Sequence, residues 1–278
     1  IQSLVLLGVL LWNDLGFNFR FQRPKSKPNN GDGDPIELEL GSRRNGTSTI
    51  KGNCLEVMGL QKKFKREFAV QDVSFGVPKG ECFALLGPNG AGKTTCLSMI
   101  QGDLPPSNRD AEISVDGISI IRHRAQARSK MGVCPQIDPL DTMTVGEHLR
   151  FYAEIRGISN PNHNIDIILD GLGIRQYVDR KATKLSGGNK RKLALGIALM
   201  GNPTVLLLDE PSSGMDALSK RLMWRTLASV IPGRALVLTT HSMEEANALA
   251  SRAGILAGRM LAQGTTKELK MRYGDGYS

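Results

Sequence analysis

Residues 87–95 read GPNGAGKTT, and no other stretch of the chain restricts the possible folds so strongly. The apolar run Cys82-Phe83-Ala84-Leu85-Leu86 precedes it and an amphipathic stretch follows. That order of strand, glycine-rich loop and helix is the context of the G-x-x-x-x-G-K-[ST] phosphate loop. Gly87, Gly90 and Gly92 let the backbone curl until successive N–H groups point at one anion, while Pro88, Asn89 and Ala91 complete the turn. Lys93 adds a charge that reaches β- and γ-phosphate oxygens, the Thr94 hydroxyl suits the shell of a Mg²⁺ ion, and Thr95 leads into the helix. The helix that begins here aims its positive end at the same anion. The loop therefore predicts a nucleoside triphosphate with Mg²⁺, held on an α/β fold.

A phosphate loop alone is compatible with kinases, GTPases and many ATPases, and the residues downstream narrow the choice. Val205-Leu206-Leu207-Leu208 is apolar throughout and too short for a helix, as central parallel strands are when both faces are buried. Ligands of such sheets bind beyond the carboxyl ends of the strands, which predicts Asp209 and Glu210 beside the phosphate loop. There Asp209 can hold Mg²⁺ through its waters, and Glu210 can polarise the water that attacks the γ-phosphate. Between the two motifs lie Leu185-Ser186-Gly187-Gly188-Asn189 and then KRKLALGIALM, with Leu193, Ile197 and Met200 at helical spacing. Taken plainly, this is a basic helix capped by Ser186. A helix start with bare glycine backbone at 187 and 188 is equally a second anion site. Two phosphate sites in one chain make sense if each serves a different copy of the domain.

The LSGGNKR stretch resembles the signature motif of ATP-binding cassette (ABC) proteins, and the order phosphate loop, signature, VLLLDE, histidine is similar to theirs. The resemblance covers roughly residues 54–270. It implies a P-loop NTPase core with a parallel sheet, an N-terminal antiparallel β layer and an inserted helical subdomain at about 138–200. It implies that Gln136, in GVCPQIDPL, senses Mg²⁺ and links the core to that subdomain, and that Asp216, in SSGMD, faces an opposite monomer. His241, after Ala235-Leu236-Val237-Leu238, is similar to the switch histidine that contacts the γ-phosphate. Phe64 resembles the aromatic that stacks on adenine, a place for which Phe68 competes. Asn189 stands where the family usually has glutamine; SGGNKRKL, TTHSMEEA and the closing YGDGY are similar to ABC subfamily A, whose members move lipids or sterols.

The resemblance implies ATP hydrolysis coupled to transport, with ATP and Mg²⁺ bound at one cassette and covered by Ser186, Gly187 and Gly188 of another. The implied partners are a second nucleotide-binding domain, transmembrane domains and a lipid-like cargo, without nucleic acid. A drug or polysaccharide exporter is the rival among transporters. A soluble ABC protein working on ribosomes or nucleic acid would also suit the net charge of +9, which by itself indicates only anionic partners.

The chain opens on the apolar run IQSLVLLGVLLW, short of the ~20 residues a span requires, followed by Arg20, Arg23, Lys25 and Lys27. Residues 1–19 are therefore expected to be the cytoplasmic end of a membrane span, residues 20–53 a solvated linker, and 271–278 the start of a further extension. This puts the domain on the cytosolic face of a membrane. Cys54, Cys82, Cys96 and Cys134 form no C-x-x-C pair, which favours reduced thiols over a disulfide framework or a zinc site.

Overall fold

The computed structural model describes residues 52–273. The expected membrane span at 1–19, the linker up to residue 51, and residues 274–278, which hold all of the closing YGDGY but its first residue, lie outside the described residues.

Strand β1 (Asn53–Phe64) and strand β2 (Glu67–Pro78) form one long antiparallel hairpin, which β4 (Glu112–Val115) and β5 (Ile118–Ser119) extend to a four-stranded sheet in the order β2-β1-β4-β5. Residues 54–80 read in the sequence as short strands with turns at Gly59 and Pro78-Lys79-Gly80, and the structure corrects the first of these. Gly59 has φ +62° but lies inside β1, at a register shift between Val57 and Leu60, where its N–H donates to the Ser74 hydroxyl at 2.8 Å. A glycine in a strand marks a bulge as readily as a turn, and the bulge prevails because the apolar residues on both sides still pair. The turn at 78–80 does end β2, with Gly80 at φ +84°.

The second sheet has six strands in the order β10-β9-β3-β8-β7-β6, comprising β3 (Cys82–Leu86), β6 (Met131–Cys134), β7 (Val205–Asp209), β8 (Ala235–Thr240), β9 (Arg252–Leu256) and β10 (Met260–Thr265). Every neighbouring pair from β9 to β6 is parallel, and β10 alone is antiparallel at the edge. Every residue of β3, β7 and β8 is buried. Their side chains alternate between two cores, as a two-residue period requires. Phe83, Leu85, Leu207 and Val237 join the core under the antiparallel sheet, where Phe83 stacks on Phe75 with ring centroids 4.6 Å apart. Ala84, Leu86, Leu206, Leu208 and Leu238 face the helices on the other side.

After the phosphate loop comes α1 (Lys93–Ile100), followed further on by α2 (Arg124–Ser129). Three helices then follow one another, α3 (Val145–Ile155), α4 (Pro161–Gly171) and α5 (Gly187–Leu199), with two short 3₁₀ turns between the last two. Thr144-Val145-Gly146-Glu147 reads in the sequence as a capping box, and Thr144 and Glu147 form it at the start of α3, at 3.2 and 2.7 Å. Val145 and Leu149 of α3 and Ile165, Ile168 and Leu169 of α4 are buried against α5, so these helices share one apolar core. Helices α6 (Ala217–Val230), α7 (Met243–Leu249) and α8 (Thr266–Tyr273) complete the described chain. Ser242 caps α7 by accepting from the Glu245 amide at 3.3 Å. Ser242 and Glu245 are spaced in the sequence as a capping box, but Glu245 does not return the bond, because its carboxylate is buried and accepts from the Trp224 indole N–H at 3.2 Å. Among the described residues no helix is long and apolar enough to cross a membrane.

Candidate functional site

Register brings the site together. Leu86 pairs with Thr240 across β3 and β8, and Asp209 pairs with Thr239 across β7 and β8. The phosphate loop, the Asp209-Glu210 pair and His241 therefore leave the sheet at one level, at the carboxyl ends of adjacent parallel strands. The Gly87 amide donates to the Thr240 carbonyl at 3.3 Å and starts the loop there. On its other flank β9 comes so close that a Cβ on Gly87 would lie 2.3 Å from the Leu256 carbonyl oxygen. Gly92 closes the loop at φ +97° and caps α1 without a side chain.

Five predicted residues fall into one bonded cluster. The Lys93 ammonium is buried, donates to the carbonyls of Gly87 and Pro88 at 2.7 and 3.2 Å, and pairs with Glu210 Oε1 at 3.3 Å. Glu210 Oε2 lies 2.7 Å from His241 Nδ1, and the His241 ring is otherwise 57% exposed. Thr94 Oγ1 donates to Asp209 Oδ2 at 3.0 Å. Glu210 itself has φ +48°, a region non-glycine residues seldom occupy, and its amide is fixed by the Thr239 carbonyl and hydroxyl at 3.2 and 3.0 Å.

The predicted residues of the 136, 186–188 and 216 segments surround a neighbouring cleft of about 350 Å³. Gln136, Ser186, Gly187, Gly188, Glu210 and Asp216 all line it, whereas no residue from 87–95 does. Ser186 caps α5, accepting weakly from the Asn189 amide at 3.4 Å, and a Cβ placed on Gly187 would meet open space. Asp216 caps α6 within its own chain, accepting from the Ser219 amide and hydroxyl at 2.9 and 2.6 Å. The Ser219 hydroxyl, followed by its amide, holds the Asp216 carboxyl below the usual range. Phe64 and Phe68 stand across the hairpin turn, 49% and 46% exposed, beneath the ammonium groups of Lys62 and Lys63 respectively. Ala69, next to Phe68, backs the loop at Gly92.

Arg191 was not singled out by the sequence, yet it joins more of the site than any residue that was. It is buried on α5, one turn past the glycines. Its Nε donates to the Pro211 carbonyl at 3.0 Å and its Nη2 to the Asp209 carbonyl at 2.8 Å. Its Nη1 donates to the Pro135 carbonyl at 2.5 Å and to Asp138 Oδ1 at 2.8 Å. One planar fork thus ties α5 to the segment carrying Gln136 and to the strand end carrying Glu210.

The donors suit the expected ion. Thr94 and Asp209 supply hard oxygen ligands in contact with each other, while the described residues include no group of three His, Cys, Asp or Glu arranged to hold a metal. Mg²⁺ is characteristically held by one or two such protein oxygens together with substrate phosphates rather than by a protein cage.

Comparison with known proteins follows the same lines. The family described as ABC transporter matches residues 70–213. The chain is 46% identical over 216 residues to the retinal-specific phospholipid-transporting ATPase ABCA4 of Mus musculus, covering 75% of this chain and 9% of that one. It is 38% identical over 286 aligned residues to ATP-binding cassette sub-family A member 2 of Homo sapiens, covering 98% and 12%. The chain thus spans about a tenth of the length of these curated relatives. Among solved structures, an ATP binding subunit of an ABC transporter superposes with a TM-score of 0.71 at 27% identity, covering 81% of this chain and 95% of that one.

Proposed function

The chain belongs to the ABC transporter family and carries its ATP-binding domain, and from that premise we propose that it hydrolyses ATP by closing on a second cassette and so drives transport across a membrane. The observation that supports this most is the bonded cluster of Lys93, Glu210 and His241, with Thr94 on Asp209 beside it, at the ends of three adjacent strands. The loop amides and Lys93 bind the β- and γ-phosphates, and Thr94 and Asp209 hold Mg²⁺, which when bound neutralises charge developing on those oxygens. Glu210 orients the attacking water, His241 steadies the γ-phosphate, and Gln136 reports the ion to the helices at 138–200. Phe64 or Phe68 covers the adenine.

The helix end at Ser186, Gly187 and Gly188 offers an anion site that the chain's own phosphate loop does not share, which suits a phosphate carried by another cassette. That cassette is a second copy or a different domain of the same polypeptide, with Asp216 at the seam. A γ-phosphate there joins both domains, and its loss on hydrolysis lets them part. The cassette acts with transmembrane domains on the cytosolic side of a membrane, and the subfamily A relatives point to a lipid cargo. ATP turnover of Glu210→Gln tests the chemical part. The substitution should cut turnover about a hundredfold or more, the size of a lost general acid–base contribution, with ATP still bound. Turnover at the wild-type rate would remove Glu210 from the role.

A further inference from the structure

We infer that Thr239 is a positioning residue whose single hydroxyl sets both carboxylate residues, Asp209 and Glu210, at once. The inference rests on the reading of those two residues given above. Thr239 is fully buried on β8, directly opposite Asp209 in the parallel register. Its Oγ1 donates to Asp209 Oδ1 and accepts from the Glu210 amide at 3.0 Å. The one proton of the hydroxyl is thereby committed to Asp209 and a lone pair to Glu210. Asp209 Oδ2 is meanwhile held by Thr94 at 3.0 Å, so the carboxylate is fixed at both oxygens and cannot turn about its axis. Glu210 sits at φ +48°, and such a conformation persists only where its surroundings over-determine it. Here the constraints are the Thr239 carbonyl and hydroxyl on the Glu210 amide, and the Ser213 amide on the Glu210 carbonyl at 3.2 Å. Removing the hydroxyl frees one oxygen of the proposed ion ligand and loosens the peptide that aims the proposed catalytic carboxylate, without touching the phosphate loop.

Thr239→Val keeps the volume and the strand preference and replaces the hydroxyl with a methyl, leaving Asp209 Oδ1 without its donor and the Glu210 amide with the residue 239 carbonyl alone. Thr239→Ser keeps the hydroxyl and deletes the methyl. Two readouts on the chain as it stands separate positioning from packing: steady-state ATP turnover, and Mn²⁺ affinity by electron paramagnetic resonance with a non-hydrolysable ATP analogue. Thr239→Val should lower kcat roughly tenfold and weaken Mn²⁺ several-fold, the effect of one unsatisfied buried group, with analogue affinity held within about threefold. Thr239→Ser should restore both. Wild-type values for Thr239→Val alongside an inactive Glu210→Gln would overturn the inference and leave the assignment of Glu210 standing. Equal impairment in Thr239→Ser and Thr239→Val would also overturn it, since the hydroxyl would not be the determinant. Should Thr239→Val fail to fold, Thr239→Ala against Thr239→Ser gives the same contrast with the methyl absent from both. Full turnover in Glu210→Gln would instead remove the reading on which the inference rests.

Discussion

Gly92 shows how narrowly single residues are set at this site. Its φ of +97° disfavours any side chain, and a Cβ there would stand 2.4 Å from the Ala69 carbonyl oxygen of β2. Gly92→Ala therefore carries backbone strain of about 1–3 kcal/mol in addition to the clash. It should lower the melting temperature and weaken ATP binding at least tenfold, both readable by nucleotide titration in a thermal-shift assay. Wild-type affinity for that variant would mean that the loop opens without cost. The residues of this cluster were legible because their chemistry is carried in contiguous motifs: GPNGAGKTT, VLLLDE and TTHS. Thr239 lay inside TTHS and Arg191 inside LSGGNKR, and both went unread. A buried threonine in a strand and an arginine on a basic helix look like ordinary surroundings until register and burial show what they touch. The sequence also left Phe64 and Phe68 as rivals, and their similar exposure at one hairpin turn keeps both in place.

Among the elements, α5 carries most of the coupling. Its first turn presents Ser186, Gly187 and Gly188, and its second sends Arg191 to carbonyls of both the 135–138 and the 209–211 segments and to Asp138. Arg191→Lys keeps a charge but cannot bridge both segments with one ammonium. It should lower ATP turnover roughly tenfold while nucleotide affinity stays within about threefold, because the fork ends on residues flanking Glu210 and not on the phosphate loop. Arg191→Met should cost about 3 kcal/mol in denaturant unfolding, since it strands a partnered carboxylate and several buried carbonyls. An unchanged unfolding midpoint in Arg191→Met would contradict the role of that fork. Helix starts were legible where a cap and an apolar period coincide, as at Thr144 and Ser186. At Ser242 the same pattern was only half realised, because Trp224, distant in sequence, claims the Glu245 carboxylate. At Gly59 a local turn signal yielded to the pairing of a long hairpin, which depends on β2 as well.

For the molecule as a whole, the central strands β3, β7 and β8 were legible from their unbroken apolar runs, whereas β6, β9 and β10 and the order of the sheet depend on crossovers that no local pattern encodes. Packing on both faces of the sheet has a chemical consequence for the thiols. All four cysteines are free; Cys82, Cys96 and Cys134 are buried and Cys54 is partly exposed. Burial pushes the Cys96 thiol up to about 12 and the Cys134 thiol to about 11, and raises Cys82 further. These thiols remain protonated and inert at pH 8, so iodoacetamide should label Cys54 first and the other three only on unfolding, as mass mapping of alkylated peptides would show. Early labelling of Cys134 would mean that the sheet opens beneath α5. The central claim, closure of two cassettes around ATP, concerns the molecule and its partner. Its most direct test is the light-scattering mass of Glu210→Gln with and without Mg-ATP. The mass should double from the 30.2 kDa of one chain when ATP is bound and fall back on its removal. A mass that stays at one chain with ATP demonstrably bound would contradict closure of two copies of this chain through the faces that Ser186, Gly188 and the phosphate loop present, and would leave a different cassette as the partner.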